Sequence, residues 1–205
     1  LLRPARLLFR LSPSGWRGSQ LDQPRGVRIR LAIEELGPIF VKFGQSLSTR
    51  QDLLPTDIGR ELTRLQDEVP PFPTEQALAE IESSFGQPAS QLFASFEHEP
   101  LAAASIAQVH GARLHSGDDV VVKILRPNVR ELVRRDLEVM YALARLAERW
   151  WPESRRLRPV DIVAEYEKTI LNELDLVREA ANAAQLRRNW LGSPLIYVPQ
   201  VYFDY

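Results

Sequence analysis

The sequence predicts an α+β fold: a helical region, then a small antiparallel sheet, then two long helices. Three observations carry this. Helical periodicity broken by prolines fills residues 27–91, with apolar residues recurring on one face of each stretch. Short β-rich runs joined by the turn-like SGDD begin near residue 92. Long amphipathic stretches then follow Pro127 and Pro159.

Taken in order, residues 1–26 form a basic arm. The first thirty residues hold seven Arg against one acid, Asp22, so they carry +6 while the rest of a chain of net charge −1 carries −7. Its opening LLRPARLLFRL mixes basic and apolar residues, which suits an anionic bilayer surface; a frayed, solvated arm is the competing reading. Nucleic acid is excluded as a partner, because the body is acidic and no aromatic-basic interleaving continues. VRIRLAIEELG reads as a helix ending at Gly37, and Pro38 opens the next, PIFVKFGQSLSTRQ, with Phe40, Phe43 and Leu47 on one face. Pro55 restarts a third helix through DIGRELTRLQ. After PPFP at 70–73, Thr74 caps a fourth with Ala77, Ile81 and Phe85 on its buried side. Residues 27–91 are thus a helical extension.

From 92 to 205 the pattern changes. LFASFEHEP, SIAQVHGARLH and VVVKIL read as strands, with 106–114 antiparallel to 119–125. Pro127 ends the last strand, and NVRELVRRDLEVMYALARLAERWW is a long helix. A second helix spans roughly 160–190, and LIYVPQVYF returns to β character.

Composition narrows the chemistry. The 205 residues, 44% hydrophobic and 26% charged, describe one ordinary domain or a small domain with an extension. No run of apolar residues is long enough to span a membrane as a helix. Zero cysteines exclude disulfides, thiolate metal sites and cysteine nucleophiles. His98, His110 and His115 make no helical pair, which disfavours a metal hydrolase, and no metal site is expected within this segment. The chain opens on Leu1 and stops inside VPQVYFDY, so a piece of a longer protein is expected.

The basic residues comprise 23 Arg and three Lys, Lys42, Lys123 and Lys168, which draws attention to each lysine. Lys123 closes VVVK, where a lysine in an apolar strand needs an anion nearby. An edge-strand lysine pointing to water is the alternative. Upstream, the small residues of LAAASIAQV allow close backbone approach to a ligand, although alanine runs also mean tight packing. A small-residue loop between strands followed by a strand ending V-x-x-K is the topology of a protein-kinase N-lobe. On the helix 160–190, Glu173 and Asp175 point apart while Asp175 and Glu179 share a face, unless all three are simply solvated. Gly44 inside a helix costs on the order of 1 kcal/mol relative to alanine, so something there requires its missing side chain, or it is a chance glycine. Lys42 and Gln45 are i, i+3 neighbours beside it.

The set FVKFGQSLSTRQDLLP, PLAAASIAQVH, VVVKILRP and NELDLVREAANA closely resembles the UbiB family of atypical kinases, which support ubiquinone biosynthesis. The four motifs stand in family order from about residue 25 onward. The resemblance implies a kinase-like N-lobe, with its C-lobe missing, preceded by a helical extension carrying a K-x-G-Q motif. It makes Leu101, Ala102, Ala103, Ala104, Ser105, Ile106, Ala107, Gln108, Val109 and Lys123 the ATP-binding residues and Glu179 the partner of that lysine. Lys42, Gly44 and Gln45 then belong to the K-x-G-Q motif and Glu173 and Asp175 to an E-x-D motif, the two facing each other across the pocket. Such a plug disfavours protein phosphorylation and fits ATP hydrolysis or phosphorylation of something small or lipid-like.

The resemblance further implies ATP and Mg2+ as cofactors, work at the cytoplasmic face of the bacterial inner membrane, and a lipid or quinone precursor and other ubiquinone-biosynthesis enzymes as partners. No H-x-D-x-x-x-x-N loop and no D-F-G occur, so no catalytic residue is expected here. The catalytic Asp and the magnesium ligands are expected beyond Tyr205, and the segment alone is expected to bind nucleotide weakly without turnover. A non-catalytic nucleotide-sensing module is the alternative function, and a purely helical membrane-surface adaptor leaves the hairpin, Lys123 and Glu179 unexplained.

Overall fold

The computed structural model describes residues 23–50, 54–66, 69–150 and 152–205. The basic arm therefore lies outside the described residues up to residue 22. The chain divides into two compact units, one up to Gln66 and one from Asp67 onward.

Prolines and glycines set the helices of the first unit. Helix α1 (Arg25–Leu36) follows Pro24, and α3 (Thr56–Leu62) follows Pro55; both prolines sit in extended polyproline-like backbone. Between α1 and α2 (Pro38–Ser48) stands Gly37 at φ 109°, a conformation that a side chain would oppose. Val41, Leu62 and Leu65 are its buried core, with Ile29, Ile33, Leu47 and Ile58 packed against them. The third helix stops at Leu62, short of the predicted Gln66, because Leu65 turns into this core instead of continuing the helix.

In the second unit, α4 (Thr74–Phe85) again follows a proline, Pro73, and ends at left-handed Gly86, whose N–H closes on Glu82 at 2.8 Å. Thr74 does not cap this helix: its hydroxyl donates to the carbonyl of His98, 2.7 Å away. Ala77 and Ile81 are buried as expected, but Phe85, in the last turn, is 38% exposed. The one-turn helix α5 (Ala89–Leu92) leads into the sheet.

That sheet has three strands, β1 (Ser95–Ala103), β2 (Ala107–Arg113) and β3 (Asp119–Leu125), all antiparallel in the order β1-β2-β3. Strand β2 pairs β3 without a break from Arg113↔Asp119 to Ala107↔Leu125. Strand β1 slips register on either side of Pro100, which has no N–H to give the ladder. One sheet face meets α4 and α5 in a core of Phe72, Ala77, Ile81, Leu92, Phe93, Ala112, Leu114 and Ile124. Strict alternation explains the choice: Gln108, His110 and Ala112 point inward while Val109 and Gly111 point the other way.

Helix α6 (Val129–Trp150) buries Val133, Leu137, Met140 and Ala144. The predicted helix 160–190 is two helices, α7 (Pro159–Glu173) and α8 (Leu176–Asn189). Leu174 is fully buried at the break, and the Asp175 carboxylate caps α8 by accepting from the Arg178 N–H at 3.0 Å. Asp175 is therefore a cap, not one member of a helical i, i+4 pair with Glu179. The predicted strand LIYVPQVYF is also absent: Pro194 and Pro199 each remove a ladder donor, and of its aromatics Tyr202 packs while Tyr197 and Phe203 stay exposed. Tyr202 lies against the sheet core and the Tyr205 ring stacks on Phe93 at 5.6 Å. Among the described residues no helix is long and apolar enough to cross a membrane.

Candidate functional site: one sheet face and its lysine

The first unit holds the K-x-G-Q segment on α2. Gly44 is buried, and a Cβ there would come within 2.4 Å of Leu65 Cδ1 and 3.4 Å of Ile33. Gln45 donates from Nε2 to the carbonyl of the same Leu65 at 3.1 Å. Glycine and glutamine thus grip one residue, Leu65, one by making room for its side chain and the other by satisfying its backbone. Lys42 is half-buried on the same helix. Gly44 answers the requirement that sequence alone only posed: Leu65 needs the space.

In the second unit, strand pairing lines up Ala102, Val109 and Lys123 across the three strands on the face that α4 and α5 do not cover. Val121, one alternation away from Lys123, is 64% exposed there, and Leu101 is 61% exposed. Lys123 lies on an edge strand, as the bland reading of the sequence had it, yet it does not simply point to water. Its Nζ donates to both carboxylate oxygens of Glu179, at 2.7 and 2.6 Å. Glu179 stands in the first turn of α8, where the helix dipole also favours a carboxylate. Asp175, by capping that turn, sets where the helix starts and so where Glu179 stands. Glu173 ends α7, half-buried, on the other side of the break.

The alanine-rich segment is less open than a loop that covers a ligand from outside. Ala102 and Ala103 belong to β1, leaving a tight turn of Ala104, Ser105 and Ile106. Ala104 N–H donates to Ala107 at 2.8 Å. None of these residues has positive φ, so the turn has no need of glycine. Ser105, Ile106, Ala107 and Gln108 are all buried, and alternation turns Gln108 to the face opposite Lys123.

Two side chains hold this turn and its surroundings: Arg126, which the sequence reading passed over, and Gln108, which it assigned to the nucleotide. Arg126 donates from its backbone N–H to Ile106 and from Nε to Ala104, both at 2.9 Å. The Gln108 amide takes the backbone of Phe72 at both its N–H, 3.0 Å, and its carbonyl, 3.3 Å. The only signals were the prolines of PPFP and a glutamine in a strand that also carries His110 and Arg113. A third feature was also missed: Gly111 leaves room for the Glu97 carboxylate, which lies 2.4 Å from where a Cβ would stand.

Comparisons with known proteins show the family. A profile of the ABC1 atypical kinase-like domain matches residues 64–205. A curated relative from Pseudomonas aeruginosa, named "Probable protein kinase UbiB", is 60% identical over 201 residues, 98% of this chain and 38% of its own length. A relative of the same name from Marinobacter nauticus is 56% identical over 205 residues, 98% of this chain and 37% of its own. Among solved structures, the complex of Rv3197 with erythromycin from Mycobacterium tuberculosis aligns with a TM-score of 0.55 and 30% identity. That alignment covers 97% of this chain and 47% of the solved one. The chain thus spans less than half the length of each of these three proteins.

Proposed function

Because the chain belongs to the ABC1 atypical kinase-like family, in its UbiB-type branch, we propose that it is the ATP-binding part of an atypical kinase or ATPase that supports ubiquinone biosynthesis at the inner membrane. One observation carries the reading. Lys123 is held by Glu179 at the end of a row, Ala102–Val109–Lys123, on an uncovered sheet face. An ammonium steered by a carboxylate is a phosphate contact whose direction is set before the ligand arrives, and Val109 and Val121 offer an apolar surface for a flat base.

The residues present fit a nucleotide. Lys123 would hold phosphate oxygens and the turn 104–106 would flank them, while ATP supplies the transferable phosphoryl group. Glu179 is committed to Lys123, so the magnesium ligands and the catalytic Asp are assigned to the rest of the longer protein. The charge of the first thirty residues, +6, supports an anionic membrane surface as a partner, with a lipid or quinone precursor and other ubiquinone-biosynthesis enzymes as further partners.

The test uses the full-length protein with ATP and Mg2+. Lys123→Ala is expected to weaken ATP binding about tenfold or more, the scale of one lost charge-assisted phosphate contact. Unchanged affinity overturns the assignment. Binding without turnover in the unsubstituted protein would favour the nucleotide-sensing module over the enzyme.

A further inference from the structure

We propose that Arg126 and Gln108 are positioning residues that lock the alanine-rich turn to a proline-rich strap, residues 70–72, and that this lock sets nucleotide affinity. The proposal rests on the nucleotide reading above.

The lock is a closed circuit of hydrogen bonds. Arg126 spans the turn, its backbone N–H on Ile106 and its Nε on Ala104, so both ends of the bend are tied to one residue. Its Nη2 reaches on to the carbonyl of Pro70 at 2.8 Å, and its guanidinium lies 5.4 Å from the centre of the Phe72 ring. Phe72 returns to the sheet through Gln108, whose amide accepts from its N–H and donates to its carbonyl.

The remaining amide hydrogen fixes a tautomer. Gln108 Nε2 lies 2.8 Å from His110 Nε2, so that ring nitrogen accepts, and Nδ1 donates to the carbonyl of Glu97 at 2.8 Å. Every polar atom of Gln108, which is 1% exposed, is therefore used inside the protein. Gln108 is adjacent to Val109 in sequence but faces away from it, so it acts on a ligand only through the turn.

Only a planar guanidinium can make this bridge. A lysine carries the charge but offers one point, which cannot bond Ala104 and Pro70 together while lying on a ring. With alanine at negative φ throughout and both ends clipped, the turn has little freedom left to lose when a ligand binds. Loosening it restores that cost to each binding event.

The test measures, in the full-length protein, ATP binding with Mg2+ by calorimetry, turnover at saturating ATP, and amide exchange across residues 104–107. Arg126→Lys is expected to raise the Kd about tenfold, leave turnover at saturation within about twofold, and speed exchange in the turn. Phe72→Leu keeps the core apolar but removes the ring beneath the guanidinium, and is expected to raise the Kd about two- to fivefold. Faster exchange with an unchanged Kd in both variants overturns the proposal, because the lock would then be structural only. Lys123→Ala is the control. If it too leaves ATP binding unchanged, the nucleotide reading has failed, and this proposal with it.

Discussion

Lys123 on β3 and Glu179 on α8 stand 56 residues apart in sequence and meet through two contacts of 2.6 and 2.7 Å, although the side chains are 38% and 51% exposed. A pair this open does little for the fold. Water screens it, and both side chains lose freedom to form it. Its geometry is better than its contribution to stability requires, which is why we read it as belonging to a ligand.

Glu179→Gln separates the two roles. Melting should show a loss within about 1 kcal/mol, the range of exposed ion pairs. ATP affinity of the full-length protein should fall several-fold, because Lys123 loses its steering charge. A large stability loss with unchanged affinity would make the pair structural.

Gly44→Ala tests the grip on Leu65. The added methyl would stand 2.4 Å from Leu65 Cδ1, whose side chain is packed in a core and cannot swing clear. Overpacking of this kind costs about 1–3 kcal/mol. Denaturant unfolding should show that loss, and Leu65→Ala should cost less in this background than it costs alone, because the two side chains compete for one space. Additive losses would show that Gly44 and Leu65 do not meet.

These residues also mark how far the sequence could be read. Helix ends were legible where Gly37, Pro38, Pro55 and the PPFP break imposed them, because their backbone limits are local, but the start after Pro24 was read two residues late. The antiparallel pairing of 106–114 with 119–125 followed from SGDD, and the structure adds its register, Arg113↔Asp119 onward. The break at Leu174–Asp175 was hidden, since helical periodicity runs on through a cap. The last segment looked β-like from its Tyr, Val and Phe, but it pairs with no strand: Tyr202 packs on the sheet core while Tyr197 and Phe203 stay exposed. At the site, Lys123 and Glu179 were legible through motif resemblance. The reason for Gly44 and the inward turn of Gln108 were not, because each depends on a partner, Leu65 or Phe72, that only folding brings near.

Tyr141 on α6 donates to Glu167 on α7 at 2.5 Å, and this bond, with some burial, pushes the phenol up to about 12 from 10.0. A folded value above the unfolded one means the bond's stability is fully present below pH 10 and is lost as pH rises through about 12. Tyr141→Phe should therefore cost about 1 kcal/mol at neutral pH, for a half-buried bond to a charged acceptor. The gap between variant and parent should close in alkaline unfolding titrations. A constant gap across that range would mean the loss is one of packing.

Asp136 presents the opposite case. It lies on the inner side of α6 between Val133 and Met140, 8% exposed, and burial raises its pKa while Arg135, 3.7 Å away, offsets only part of that. A carboxyl raised in the folded state favours the protonated form. Its effect on stability therefore turns unfavourable as pH rises through the ordinary value of 3.8, and stays so at neutral pH. Asp136→Asn keeps the shape and removes the charge. It should raise stability at neutral pH by on the order of 1 kcal/mol, or about 3 °C in melting temperature. The gain should vanish in acid, where the parent carboxyl is itself neutral. A lower melting temperature at neutral pH would overturn this, because it would mean that the anion itself stabilises the fold by more than its burial costs.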